Sequence, residues 1–504
     1  MKFDPQAKLN LDEIERMISS KSKFVLSPRA TARISGGAKS LKALAASREP
    51  LYGVNTGFGR LAQMRVSPAE LTELQVNLLR SHAAGIGDPA SQDVVRRLIF
   101  LRALSLGKGA SGVSVSLVKR HLEYLNFNLI PHIPEQGSVG ASGDLAPLAH
   151  LGLTFIGEGY FLDRRRKMRG ILSLKRYRLK PLEIGPKEGL ALVNGTQFSL
   201  ALALQVRSEL SSLLDWMMLA ACVSIEGHRA SRNVFDPELH ALKDHPHQKE
   251  IAALFWKLLS NSPHMKGHKD CDLVQDSYSF RCIPQILGPC LSLLDRADDL
   301  LTDEANSVTD NPLLVSKGKR LISGGHFHAQ SVSMACDLMA LSMATMGNLI
   351  ERRIDQLVSP LTTRTEAFLA DRPGVQSGFM IVQTAAAALA SENKTLAHPA
   401  SIDTIPTNGN QEDHVSMAPW AARKALMMVK NLRRLVAAEI LCAARACVLE
   451  SHRTGLAFSP PVEGFLDFLG SNHPQIFKLG DRAFGEDWIV IEKLIEAKFT
   501  IRRS

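Results

Sequence analysis

The sequence predicts a mainly α fold, a long-helix bundle with a smaller mixed N-terminal region. Three observations carry that expectation. Apolar residues recur at intervals of three or four through several long segments in the middle and C-terminal half. Alternating, strand-like stretches are scarce. The Gly- and Pro-rich stretches fall between the helical blocks rather than inside them.

Taken in chain order, "KFVLS" near Lys23 is the first short-strand candidate, and the region from Tyr160 to Leu174 is the second. Between them, Asp144 has the character of a cap for a helix through Leu148, Leu151 and Phe155. Gln197 to Glu226 holds few helix breakers over several turns. Gln330 to Arg353 and Gly378 to His398 are rich in Ala, Met and Ser around most of their circumference, as expected of helices surrounded by other helices. In Pro419 to Cys447, Ala425, Met428, Leu432, Val436 and Ile440 mark an apolar face, with Lys424, Asn431 and Arg434 on another. These patterns divide the chain into residues 1–195, an N-terminal region, and residues 196–504, a helical bundle with its C-terminal helices. Small residues let such helices approach closely.

The 504 residues are 45% hydrophobic and 22% charged, a globular rather than disordered composition, and long enough to bury a substantial core. Seven cysteines, an odd number with no CxxC pair, suit a reduced, cytoplasmic setting. The N-terminus "MKFDPQAKLNLDEIERM" has acids where a secretion signal needs an apolar run. The uncharged stretch from Pro373 to Ser391 reads as a buried bundle helix rather than a membrane span. Of the net charge of +10, much is concentrated in "RRRKMRGILSLKRYRLK", Arg164 to Lys180. With one aromatic, Tyr177, and no recognised motif nearby, that run reads as a solvated hairpin, and neither nucleic acid nor a membrane is expected as partner.

One loop asks for chemistry. "GSVGASGDLAPLAH", Gly137 to His150, is nearly all backbone before it turns apolar. Its glycine spacing gives neither GxGxxG nor a P-loop, and Ser142 lacks the glycine two positions later that a nucleophile elbow needs. What remains is a tight turn, or chemistry of the backbone itself, in which the Gly143 amide nitrogen attacks the Ala141 carbonyl. Glycine at 143 makes such a bend accessible because no side chain forbids the dihedrals.

Read together with "YGVNTGFGR", "VNGTQ", "VQDSYSFRC", "ISGGHFH" and "TNGNQEDHVSM", that loop resembles the aromatic amino acid ammonia-lyases, in matching order from Tyr52 to Met417. The resemblance implies that Ala141, Ser142 and Gly143 close into a methylidene-imidazolone (MIO), an electrophile made from the chain, with no pyridoxal phosphate and no metal. The chemical need stands without the family: removing a β-hydrogen that no carbonyl acidifies, while expelling an amine, calls for an electrophile to activate the leaving group and a base near the β-carbon. Tyr52 matches the tyrosine commonly assigned as base, and Tyr278 a second that shares proton transfers. An ordinary phenol near pKa ~10 costs roughly 4 kcal/mol to ionise at pH 7, so a helix N-terminus or Arg281 is needed to favour the anion. Arg281 matches the residue that grips the substrate carboxylate with paired hydrogen bonds. Asn194 and Gln275 match amides that orient substrate or prosthetic group, and Phe327 an apolar pocket wall.

Selectivity in the family tracks two places. His82, in "RSHAAGIG", matches the histidine ammonia-lyases, though tyrosine-selective members can also carry His there. Glu412, in "NQEDHVSM", is more telling: a carboxylate accepts a hydrogen bond from an imidazole N–H and would be left unpaired against a phenyl ring, at about 1–3 kcal/mol. The resemblance therefore implies L-histidine as substrate, trans-urocanate and ammonia as products, and a homotetramer whose sites are shared between subunits. Tyrosine or phenylalanine ammonia-lyase, an aminomutase, and a noncatalytic scaffold of the same fold are the alternatives. His326 stands where the family usually has Asn, and Ser277 where Pro is common. A zinc site among His240, His245, His247, His264, His268 and Cys271 has no recognised ligand spacing. Apart from the family match, Glu412 would read as an acid near the helix start at Pro419.

Overall fold

The computed structural model describes residues 1–46, 50–164, 166–267 and 274–496, so Arg165, His268 and Cys271 lie outside the described residues. Helices dominate, and the strands are two to four residues long. The chain forms two compact units, the first from Met1–Gln205, Ala297–Asp337 and Pro399–Arg423, the second from Val206–Arg296, Leu338–His398 and Lys424–Ser504. The sequence boundary at 195/196 is a single cut, whereas each unit gathers three separated stretches, and the divisions fall within long helices except at 398/399, just past the helix Met380–Leu396.

In the first unit, the helix Gln92–Leu106 is buried on nearly every side, including Arg97 and Arg102. Phe100 packs edge-on to Phe3 with ring centres 5.6 Å apart, and Phe24 completes that cluster. "KFVLS" supplies the strand Val25–Leu26, which pairs in parallel with Lys2–Phe3. The Tyr160–Leu174 region forms an antiparallel hairpin, Tyr160–Asp163 with Arg166–Arg169, followed by the short helix Gly170–Arg176. Its cations are largely exposed, Arg176 pairs with Asp163 at 2.8 Å, and Tyr177 packs on Phe127.

Asp144 departs from its expected role. The helix after the loop starts at Ala146, with Leu145 at its N-terminal boundary and Pro147 in its first turn. The buried Asp144 carboxylate instead accepts hydrogen bonds from the Phe198 and Ser199 amides, at 2.7 and 3.0 Å, and from the Ser199 hydroxyl. It therefore caps the helix Gln197–Gly227, whose bonded amides lie 54 and 55 residues downstream in sequence, where free amides at the helix start favour an anion.

In the second unit, Arg353 makes two hydrogen bonds to Glu439, at 2.5 and 2.9 Å, and the Ser224 hydroxyl donates to the same carboxylate at 2.8 Å. All three groups are buried, and they tie the helices Gln197–Gly227, Gln330–Val358 and Ala418–Thr454 together within this unit. Such a pair specifies which helix faces meet, since breaking it would leave a charge buried without its partner. Of the polar side of Ala418–Thr454, Lys424 and Asn431 are buried and Asn431 donates to Asn393 of the helix Met380–Leu396 at 3.1 Å, while Arg434 stays exposed as expected. Gln197–Gly227 and Gln330–Val358 are long and apolar enough to cross a membrane, but 78% and 67% of their most apolar windows are buried inside the fold.

Candidate active site

The strand Pro134–Gln136 and the helix Ala146–Phe155 hold the two ends of the glycine-rich loop. Gly143 has φ +78°, a left-handed conformation that favours glycine, and forms an isolated parallel bridge with Gly195. The Asp144 amide donates to the Gly195 carbonyl at 2.8 Å. On the other side of the loop, the Met417 amide donates to the Val139 carbonyl at 2.8 Å and the Ser416 hydroxyl to the Gly140 carbonyl at 3.0 Å. The loop is thereby gripped from "VNGTQ" and from "HVSM", segments far apart in sequence.

Asn194 and Glu412 reach Ser142 from those two sides. The Asn194 side-chain amide donates to the Ser142 carbonyl at 2.8 Å, while its own Oδ1 is buried with no hydrogen-bond partner among the described residues. The Ser142 hydroxyl donates to Glu412 Oε1 at 2.5 Å, and the Thr407 hydroxyl donates to Oε2 at 2.7 Å. Glu412 does not belong to a helix end: Thr407 and Glu412 face each other in a narrow antiparallel turn, which aims the carboxylate at the loop. His82 ends the helix Leu71–His82 and is half-buried. Burial holds its imidazole below the ordinary histidine range, and the Glu412 carboxylate pulls in the opposite direction.

Tyr52 lies in the same unit, with its hydroxyl accepting from the Gly59 amide at 3.2 Å. Its loop abuts the Glu412 turn, since a Cβ on Gly59 would fall 2.2–3.0 Å from the Asn408 side-chain amide. Phe327 is half-buried beside exposed His326, and the neighbouring His328 stacks on His414 with ring centres 5.8 Å apart. The first unit thus holds Tyr52, His82, Ala141, Ser142, Gly143, Asn194, Phe327 and Glu412.

Gln275, Tyr278 and Arg281 fall in the second unit and form a group of their own. Gln275 is exposed, Tyr278 is 68% exposed, and the Arg281 guanidinium lies 4.8 Å from the centre of the Tyr278 ring. Gln275 and Arg281 line a cleft of about 680 Å³ with Arg229 and Arg364.

Two supporting residues escaped the sequence reading. Arg102 donates to the Asn194 carbonyl at 3.1 Å, to Gln197 Oε1 at 2.6 Å and to the Ala191 carbonyl, so it fixes the backbone that carries Asn194. Burial pushes the Arg102 guanidinium down to about 10. Its signal was a lone cation inside the apolar run "LIFLRALSL". Thr407, which holds Glu412, left no comparable signal. Among the described residues, no three His, Cys, Asp or Glu side chains are placed to hold a metal ion. His240 bonds to the Val234 carbonyl and Gln248, His247 to Asp295 and Glu250, and His264 to Glu450.

A helical fold with a backbone-dominated loop, an amide and a carboxylate converging on one serine defines a class. The chain belongs to the aromatic amino acid lyase family, whose pattern it matches over residues 9–469. It is 42% identical over 491 residues to the histidine ammonia-lyase of Burkholderia ambifaria, a match covering 97% of this chain and 96% of that protein. Among solved structures, it resembles histidine ammonia-lyase from Trypanosoma cruzi, with TM-score 0.88 and 34% identity over 98% of this chain and 93% of that one. It also resembles tyrosine aminomutase from Streptomyces globisporus, with TM-score 0.91 and 31% identity over 99% and 97%.

Proposed function

We propose that this protein is a histidine ammonia-lyase, converting L-histidine to trans-urocanate and ammonia. The observation that carries the reading is Glu412: a carboxylate held against the central serine of the loop and electrostatically coupled to His82. An imidazole N–H needs such an acceptor, and a phenyl ring would leave it unpaired. The high identity to Burkholderia histidine ammonia-lyases supports the same substrate.

Ala141, Ser142 and Gly143 fit the precursor of an MIO group. Gly143 adopts a φ that L side chains rarely take, it has no room for a Cβ, and Asn194 holds the Ser142 carbonyl while keeping one buried oxygen without a partner. When formed, the group supplies an electron-poor carbon that makes the substrate amine a better leaving group; this chemistry calls for neither pyridoxal phosphate nor a metal. Around it, Tyr52 removes the β-proton and Tyr278 shares proton transfer. Arg281 pairs with the substrate carboxylate, Gln275 and Asn194 orient the reactants, and Phe327 walls the pocket. His82 and Glu412 hold the imidazole. A cytoplasmic homotetramer with sites shared between subunits is the assembly this reading carries; no disulfide joins cysteines among the described residues.

Incubation with L-histidine, L-tyrosine and L-phenylalanine, with products separated and identified, tests the substrate. Urocanate from histidine is expected; a β-amino acid, a cinnamate or a coumarate in its place overturns the reading. Intact mass tests the prosthetic group, since maturation removes two waters. Ser142→Ala is expected to keep the fold, show no mass deficit and lose activity, and full activity in that variant would exclude the mechanism.

A further inference from the structure

The short helix Tyr278–Arg281 carries two residues of the proposed reaction, yet it is only one turn long. A single turn has little stability of its own, so the residues on either side must hold it. On its C-terminal side the chain runs on through Cys282 into the helix Ile283–Ala305, and within the turn Phe280 is buried and stacks on His228 with ring centres 4.6 Å apart. On its N-terminal side stands Asp276. Asp276 Oδ1 accepts from Arg364 Nη2 at 2.7 Å, and Oδ2 accepts from the Ser231 amide at 2.7 Å. Both side chains of the ion pair are under 10% exposed. Arg364 is braced in turn: its Nη1 donates to the Arg229 carbonyl at 2.7 Å, and Arg229 Nη2 donates back to the Arg364 carbonyl at 3.0 Å.

Between Asp276 and Tyr278 lies Ser277, the position where the resembling family commonly has proline. Its φ is −63°, the value a pyrrolidine ring enforces, and its amide donates to no partner among the described residues. The turn here therefore has the shape that proline would impose but lacks the covalent ring that imposes it. Its carbonyl accepts from the Phe280 and Arg281 amides, both at 3.1 Å, so the direction of Ser277 sets that of the whole turn.

We infer that Asp276, clamped by Arg364 and the Ser231 amide, is a positioning residue that orients Tyr278 and Arg281 in place of the proline ring. The inference rests on the reading that Tyr278 and Arg281 serve the lyase reaction. Asp276 touches no reacting atom in this scheme; it restrains the turn, and a loosened turn costs rate because reacting groups are misplaced.

The test uses full-length Asp276→Asn and Arg364→Gln, each with and without Ser277→Pro. The readouts are amide hydrogen exchange at Phe280, Arg281 and Cys282, and kcat and KM for L-histidine. Asp276→Asn is expected to speed exchange at those three amides about 10-fold while leaving the Ala418–Thr454 helix protected. It should also lower kcat/KM about 10- to 100-fold. Adding Ser277→Pro should restore most of both. Arg364→Gln keeps the Ser231 contact, so it carries the same test if Asp276→Asn does not fold. Unchanged exchange at the three amides, acceleration spread evenly through the unit, or failure of Ser277→Pro to restore protection in a folded variant would each overturn the inference. Exchange does not depend on turnover: loss of protection reversed by Ser277→Pro in a protein that makes no urocanate would refute the substrate assignment and leave the clamp standing.

Discussion

Substituting Gly143 by alanine places a methyl group in the tightest part of the loop. Its Cβ would lie 2.4 Å from the Gly195 carbonyl oxygen, 2.5 Å from its nitrogen and 2.8 Å from its carbonyl carbon. All three are backbone atoms, so no rotamer change relieves the overlap. The left-handed φ of +78° adds about 1–2 kcal/mol for a residue with a side chain, and forced separation of two packed segments about 1–3 kcal/mol. The sum, about 2–5 kcal/mol, is smaller than a typical net stability of about 5–15 kcal/mol, so the fold should survive with a melting temperature roughly 5–10 °C lower. The cheapest relief is to part the loop from Gly195, which moves the Gly143 nitrogen off the path that ring closure requires. Intact mass should therefore show the loss of two waters in the parent and none, or a small fraction, in Gly143→Ala. Gly36→Ala is the control: its Cβ would meet nothing within 4 Å, and it sits inside the helix Pro28–Ala45, where alanine is favoured over glycine. Full maturation of Gly143→Ala at the parent melting temperature would refute the steric argument.

Two further outcomes follow from the first unit. Glu412→Leu removes the acceptor proposed for the imidazole and should lower kcat/KM for histidine by about 10- to 100-fold, with a smaller loss for phenylalanine. The ratio is read on variant that intact mass shows to have matured, and equal losses on both substrates would remove Glu412 from selectivity. Glu304 accepts from the Thr196 hydroxyl at 2.5 Å, and burial pushes its carboxyl up to about 7 against an ordinary 4.5. Between pH 4.5 and 7, the folded protein keeps a proton there that the unfolded chain releases, so this group's contribution to stability falls as pH rises through that window. Glu304→Gln keeps an acceptor for Thr196 and never ionises. It should gain stability relative to the parent by roughly 3 kcal/mol between pH 4.5 and 8, measured by denaturant unfolding across that range. A difference that does not change with pH would refute the assignment.

By itself, the sequence determined the helical class, because three- and four-residue recurrence is a local property of each segment. Gln197–Gly227 begins at the expected residue, and Ala418–Thr454 encloses the expected Pro419 to Cys447. The same holds for the family, whose motifs, the loop around 141–143 among them, are contiguous words. The tertiary structure decided what each face meets. Asp144 caps a distant helix rather than its own, and Asn431, on the polar side of Ala418–Thr454, is buried against a neighbouring helix. Ser142 and Glu412, 270 positions apart, share a hydrogen bond. Periodicity reports that a face exists but carries no information about which segment returns to cover it. That choice depends on where the chain comes back in space, and so on the packing of the whole unit.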